Sequence, residues 1–295
     1  MHKQRIGWIG VGKMGAPMCG RLLDAGYRLT VLDPRPENIA DLVDRGATAA
    51  VDPAVLAAES DVIGVTIPND AALREAVLSA EHGLLKHLTS GHTLIEMSTV
   101  SPAVSAEVAE GLAQRGARYL RAPVSGSVAL ATAGKLSVLA SGPADAYDAC
   151  LPILNSFAAR TVRLGDGEEA RFMKIALNTM VAATAAFMSE AVAIARRGKV
   201  PMDLMLDVIG DSVVASPLIA YKRDLILEGR YGPQFSIDQM IKDLSLAVDV
   251  GTEADLDLPH LTLLSQTFAA AARAGKGDLD FFALVGSNSE RPAGA

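Results

Sequence analysis

Two stretches of this 295-residue chain hold side chains whose types and spacing suit a reaction. In K-I-A-L-N, Lys174 and Asn178 stand four residues apart and so on one face of a helix. An alcohol oxidised by hydride transfer must lose its hydroxyl proton, and a carbonyl being reduced must gain one. A lysine whose ammonium form is disfavoured by burial can do both. The flanking Phe172, Met173, Ile175, Ala176 and Leu177 leave little polar surface, so this face is expected to be buried. Asn178 then orients the substrate oxygen or the lysine. Without context a helical lysine is a solvated surface group.

The second stretch is G-V-G-K-M-G, where Gly10, Gly12, Lys13, Met14 and Gly15 follow a short apolar strand at 6–9 and open a helix over 14–23. In a dinucleotide fold the first glycine permits the turn, the second lets the backbone approach a pyrophosphate, and the third lets helix and strand pack closely. The helix N-terminus adds free N–H donors and a favourable dipole. The next strand candidate ends at Asp33, eighteen residues after Gly15, close to the spacing of a carboxylate that accepts from the adenosine ribose. An acid there repels a 2′-phosphate and favours NAD over NADP, while Arg35 can reverse the preference by pairing with that phosphate. The competing reading is a structural glycine turn beside a solvent-facing acid.

Two further segments carry candidate ligands. At 122–127, A-P-V-S-G-S places Ser125 and the backbone of Gly126 and Ser127 at the end of a strand, where they can form a nest for a carboxylate. Pro, Gly and Ser equally mark an ordinary loop. At 235–247, Lys242 can reach cofactor or substrate, although Lys and Asp on an exposed helix need no such role.

The elements that must position these residues divide the chain in two. Up to residue 164, β-rich runs at 28–32, 61–67, 92–98 and 118–124 alternate with helical patterns closed by glycine, and a shorter strand pair is expected at 136–141 and 161–164. Near-continuous apolar strands separated by helices imply a parallel sheet covered on both faces. From 165 to 295 the β pattern stops and long helical patterns follow, beginning with 168–197. The expected fold class is therefore α/β, a Rossmann-type doubly wound domain over 1–164 followed by an all-α domain over 165–295.

Composition narrows the functional classes. A net charge of −7 gives no general attraction to nucleic acid, so an anionic ligand must be caught locally. Cys19 and Cys150 are too few for a disulfide scaffold, and the five histidines show no metal-ligand spacing. A cytoplasmic location is expected, with no signal peptide evident. The apolar run at 175–195 contains Asn178, Ser189 and Glu190 and reads as a buried core helix rather than a membrane span.

In this order G-W-I-G-V-G-K-M-G-A-P-M, V-T-I-P-N-D at 65, M-S-T-V-S-P at 97, A-P-V-S-G at 122, G-K-L-S-V at 134, K-I-A-L-N at 174 and I-K-D-L-S-L-A at 241 span nearly the whole chain, which resembles the β-hydroxyacid dehydrogenases. The resemblance implies NAD or NADP as cofactor, a small anionic 3-hydroxy acid or semialdehyde as substrate, an active-site cleft between the domains, and a homodimer or homotetramer assembled through the helical domain. It makes Lys174 the general acid/base, with Asn178 one turn on, Ser125 and Gly126 the carboxylate anchor, and Lys242 on the far wall of the cleft. Thr99 falls beside the nicotinamide and its ribose, and Ile67 and Pro68 line the cofactor channel.

The chain departs from the family pattern on the substrate side. Arg121 stands where aspartate is usual, Ser127 replaces a second glycine, Glu168-Glu169-Ala170 replaces a glycine-rich turn, and Leu177 replaces the first of two asparagines. Arg121 either accommodates an extra negative group on the substrate or braces the altered turn. Two other functions stay open: an imine or carbonyl reductase of the same architecture, against which the retained lysine counts, and a non-catalytic NAD(P)-binding protein.

Overall fold

The computed structural model describes residues 3–287 and separates into two compact units, Met1–Lys174 and Ile175–Ala295. The β pattern ends near residue 164, but by packing the first turn of the long helix that follows goes with the first unit.

In the first unit, β1 (Ile6–Ile9), β2 (Leu29–Leu32), β3 (Thr48–Ala49), β4 (Val62–Val65), β5 (Thr93–Glu96) and β6 (Arg118–Arg121) form a parallel sheet in the order β3-β2-β1-β4-β5-β6. The helices between them are α1 (Gly15–Asp24), α2 (Pro36–Asp44), α3 (Pro53–Ala58), α4 (Asp70–Leu73) and α5 (Pro102–Gln114). Successive strand residues face opposite sides, so Trp8 enters one apolar core with Met18 and Val31, while Ile9 enters a second with Ile63 and Val104. Both faces are covered, as near-continuous apolar strands require.

The expected strand at 118–124 is broken at Ala122-Pro123, with proline removing a ladder donor. Its far part is β7 (Val124–Ser125), which runs antiparallel to β8 (Leu136–Ser141), and α6 (Val128–Thr132) lies between them. After α7 (Ala144–Leu154), β9 (Ala158–Gly165) pairs parallel with β8 and completes the sheet.

The helix α8 (Glu169–Arg197) begins in the first unit and contributes the rest of its length to the second. The second unit continues with α9 (Met202–Gly210), α10 (Pro217–Glu228), α11 (Ile237–Glu253), α12 (Pro259–Ala271) and α13 (Ala283–Ser287). Along α8, Ile175, Asn178, Ala182, Ala185, Ser189 and Val192 are buried at alternating spacings of three and four, the stripe that one helix face presents to a core. Met180, Phe187 and Ile194 are exposed on another face, so the run expected as a buried core helix is buried on one side only. Periodicity alone does not reveal this, because both faces are apolar. By length and composition alone α8 is apolar enough to cross a membrane, a test that the core helix of a soluble protein also passes.

Candidate active site

The glycine loop joins β1 to α1, and its three glycines answer to different demands. Gly10 has φ +86°, and a Cβ built there would lie 2.1 Å from the Thr66 carbonyl oxygen. A Cβ on Gly15 would lie 2.2 Å from the Gly10 carbonyl oxygen and 2.7 Å from Thr66 Oγ1. Packing within the protein therefore excludes side chains at both positions. Around Gly12 there is nothing within 4 Å of such a Cβ. No protein atom accounts for glycine there, whereas a pyrophosphate lying against the backbone does.

The start of α1 fits the same group. Its N-cap residue Met14 makes no side-chain capping bond, and its first turn holds no acid. Within the first turn Ala16 N–H is taken by the Gly12 carbonyl at 2.9 Å and Pro17 has no N–H, so what α1 offers an external anion is the Gly15 N–H and the helix dipole. Lys13 is exposed beside them, and Met14 packs against the core. The loop residues suit a dinucleotide on the strength of their own packing.

Asp33, just past the end of β2, is tied to this loop: its Oδ2 accepts from Val11 N–H at 2.7 Å, and Oδ1 accepts from Asn38 Nδ2 at 2.8 Å and from Arg35 N–H at 3.0 Å. The carboxylate therefore sets the loop's shape, and a lone pair on Oδ2 remains for a ribose hydroxyl. Arg35 and Pro68 are exposed, while Ile67 and Thr99 are half-buried. Ile67 N–H donates to Ser98 Oγ at 2.9 Å, joining the loop after β4 to the one after β5.

Ser125 lies in β7 opposite Ser137. Gly126 has φ +139°, a backbone conformation that favours glycine, and a Cβ there would also lie 2.7 Å from the Leu136 Cδ2 methyl. The Ser127 hydroxyl caps α6 by accepting from Leu130 N–H at 3.3 Å. Its contribution to a carboxylate nest falls to the backbone.

Lys174, on α8, is half-buried, but Phe172 is 48% and Met173 39% exposed. The apolar flanks read from the sequence do not enclose the lysine: residues one and two positions away on a helix point elsewhere. What surrounds the start of α8 is instead a charged cluster. Arg121 Nε donates to Glu168 Oε1 at 2.6 Å, and its guanidinium carbon lies 4.5 Å from the centroid of the Tyr119 ring. Of the two roles expected for Arg121, the contact made is the brace of the Glu168 turn. Arg171, 1% exposed, forms an ion pair with Glu96.

In the second unit, Asn178 and Lys242 meet the same carboxylate. Asp243 Oδ2 accepts from Asn178 Nδ2, and Oδ1 lies 2.6 Å from Lys242 Nζ. A carboxylate only accepts, so the Asn178 amide is held with its nitrogen toward Asp243. Asp243 is 3% exposed and was not singled out in the sequence, although it directly follows Lys242 in I-K-D-L-S-L-A. Glu96 and Arg171 were missed too; Glu96 carries a signal as the lone charge in the apolar run T-L-I-E-M, whereas Arg171 sits among Glu168, Glu169 and Lys174 and has none. Among the described residues no group of three His, Cys, Asp or Glu side chains could hold a metal ion.

Comparison with known proteins matches both halves. Residues 5–165 match the model for the NAD binding domain of 6-phosphogluconate dehydrogenase, and residues 168–287 match the model for the NAD-binding domain of NADP-dependent 3-hydroxyisobutyrate dehydrogenase. The chain belongs to the β-hydroxyacid dehydrogenase family. It is 32% identical over 283 residues to L-threonate dehydrogenase from Cupriavidus necator, covering 96% of this chain and 95% of the relative. A 3-hydroxyisobutyrate dehydrogenase structure from Salmonella typhimurium superposes with a TM-score of 0.87 at 27% identity, covering 97% of this chain and 100% of that one. A solved complex of Psf3 with NADP+ and 2-OPP gives 0.88 at 28% identity, covering 96% and 99%. This family member is thus an NAD(P)-dependent oxidoreductase of the hydroxyacid and semialdehyde class.

Proposed function

We propose that the enzyme interconverts a small 3-hydroxy acid and its semialdehyde, with Lys174 as the general acid/base. The nicotinamide, when bound, supplies the hydride carrier. Neutral Lys174 Nζ accepts the hydroxyl proton as the alcohol is oxidised and returns it when the carbonyl is reduced. Asn178, its amide fixed by Asp243, orients the oxygen from which that proton leaves. Ser125 and the backbone of Gly126 and Ser127 receive the substrate carboxylate, with Lys242 as a cation for it or for the cofactor.

The observation that carries this reading is the open approach over Gly12 at the uncapped start of α1. The test is reduced-nicotinamide absorbance measured with both cofactors against a panel of small hydroxy acids and semialdehydes. Lys174→Ala should lower turnover by about 10²- to 10⁴-fold and leave cofactor affinity unchanged. A Lys174→Ala enzyme with parental turnover would refute the assignment.

NAD is the proposed preference, supported by the Asp33 carboxylate beside the loop, where it opposes a 2′-phosphate. The proposed partner is a second copy of the chain. Met180, Phe187 and Ile194, exposed at seven-residue intervals on α8, form a seam suited to helix pairing. A cytoplasmic location is supported by Cys19 and Cys150, both free and buried thiols. The net charge of −7 supports neither nucleic acid nor an anionic membrane as a partner.

A further inference from the structure

We propose that Arg171 is a positioning residue for the reaction: its guanidinium fixes the start of α8, and with it Lys174, against the loops after β4 and β5 that carry Ile67 and Thr99. The inference rests on the proposed role of Lys174 and adds what holds that lysine in place.

Arg171 is three residues before Lys174, on the adjacent part of the same helix face. It is fully buried, and each of its contacts fixes a different element. Nη1 donates to the Ser98 carbonyl at 2.8 Å, Nε donates to Ser105 Oγ on α5 at 3.2 Å, and Nη2 donates to Tyr119 OH on β6 at 3.1 Å and to the Glu96 carboxylate on β5. Glu96 turns the other way as well, its Oε1 accepting from Ser98 N–H at 2.7 Å. Ser98 Oγ in turn accepts from Ile67 N–H. The residue next to Thr99 is therefore held at its N–H, its carbonyl and its hydroxyl, two of these through the Arg171–Glu96 pair.

The same helix start is pinned again from β6 and also from β8. Arg121, at the end of β6, holds the Glu168 side chain, and the Glu168 carbonyl accepts from the N–H groups of Arg171 and Phe172 at 2.9 and 3.2 Å. Ser141 Oγ, on β8, donates to the Gly167 carbonyl at 2.7 Å and accepts from Ala170 N–H at 3.2 Å. Two arginine–glutamate pairs, Arg121 with Glu168 and Arg171 with Glu96, thus hold the helix start next to the Glu168-Glu169-Ala170 turn, where the resemblance leads one to expect glycines. A glycine turn holds a helix start only through backbone shape; here paired charges of fixed geometry do it, and a planar guanidinium with several donors is the group that can serve four acceptors at once.

Arg171→Lys tests this, because lysine keeps the charge opposite Glu96 yet cannot reach the Ser98 carbonyl, Ser105 and Tyr119 together. Measured on the full chain with the best substrate of the parent, the variant should bind reduced cofactor within about threefold of the parent by fluorescence, and its kcat should fall at least about tenfold. The primary deuterium isotope effect on kcat should rise and the pH–rate profile should move, since the proton and hydride steps become limiting. A folded Arg171→Lys enzyme with kcat within about twofold of the parent overturns the proposal. So does a fall in kcat with both the isotope effect and the pH profile unchanged, which marks only a smaller active fraction. If Arg171→Lys does not fold, Glu96→Asp, one methylene shorter, is read by the same measurements. A parent inactive on every substrate would instead count against the proposed function, and an active Lys174→Ala against the lysine.

Discussion

Substituting the three loop glycines one at a time by alanine separates what the fold requires from what the cofactor requires. At Gly10 the methyl would fall 2.1 Å from the Thr66 carbonyl oxygen in a backbone with φ +86°. Left-handed strain and overpacking together cost about 3 kcal/mol or more, and the melting midpoint of a unit of this size should drop by roughly 10 °C. Gly15→Ala meets backbone at 2.2 Å and should behave similarly. Gly12→Ala meets nothing within 4 Å, and its φ lies outside the left-handed region. The cofactor-free variant should be as stable as the parent or gain about 0.4–1 kcal/mol from a less flexible unfolded chain. Its cofactor affinity should nevertheless fall about tenfold to a hundredfold, the worth of one charge-assisted hydrogen bond to a phosphate at about 1.5–3 kcal/mol. Thermal scans without cofactor and titration of NAD and NADP by fluorescence or calorimetry give both quantities. A Gly12→Ala protein that binds dinucleotide like the parent, or unfolds as early as Gly10→Ala, refutes the assignment of that space to the pyrophosphate.

Other perturbations reach different parts of the molecule. Asp243→Ala should lower kcat about tenfold or more by releasing the Asn178 amide, with cofactor-free stability measured alongside. Phe187→Glu should shift the mass seen by light scattering toward the monomer, and an unchanged mass would remove the α8 seam from the interface. Burial pushes the Cys150 thiol up to about 12, and it raises Cys19 well above its ordinary value too. An unfolded thiol ionises near about 8.5, so between that pH and the folded value the native state holds a proton that the unfolded state has lost. Stability is fully present below the unfolded value and falls as pH rises, by about 1.4 kcal/mol per pH unit for each thiol. Urea unfolding from pH 8 upward should show a shallower alkaline decline for Cys150→Ala than for the parent. Asp280→Asn should destabilise the second unit by about 3–5 kcal/mol, because it removes the counter-charge of Lys222, a 2% exposed side chain bonded to Asp280 at 2.7 Å and otherwise only to the neutral Gln234.

The alternation of apolar strands with glycine-closed helices was enough to give the doubly wound first domain and the helical second one, since period and turn residues are local properties. The glycine loop, Asp33, and the pairing of Lys174 with Asn178 on one helix were legible for the same reason: each is a spacing along the chain. The sequence also showed that Arg121 and the Glu168 turn were unusual. Only the tertiary structure showed that they bind each other, 47 residues apart.

Long-range packing likewise decided why Gly10 and Gly15 must be glycine, which turns on Thr66, and why Gly12 need not be on the protein's own account. It exposed Phe172 and Met173 beside the half-buried Lys174, reversing an environment inferred from chain neighbours. It also brought Asp243 to Asn178 and Glu96 to Arg171. A buried charge is stable only with a partner, and which partner depends on where strands and helices cross, a fact no local pattern contains.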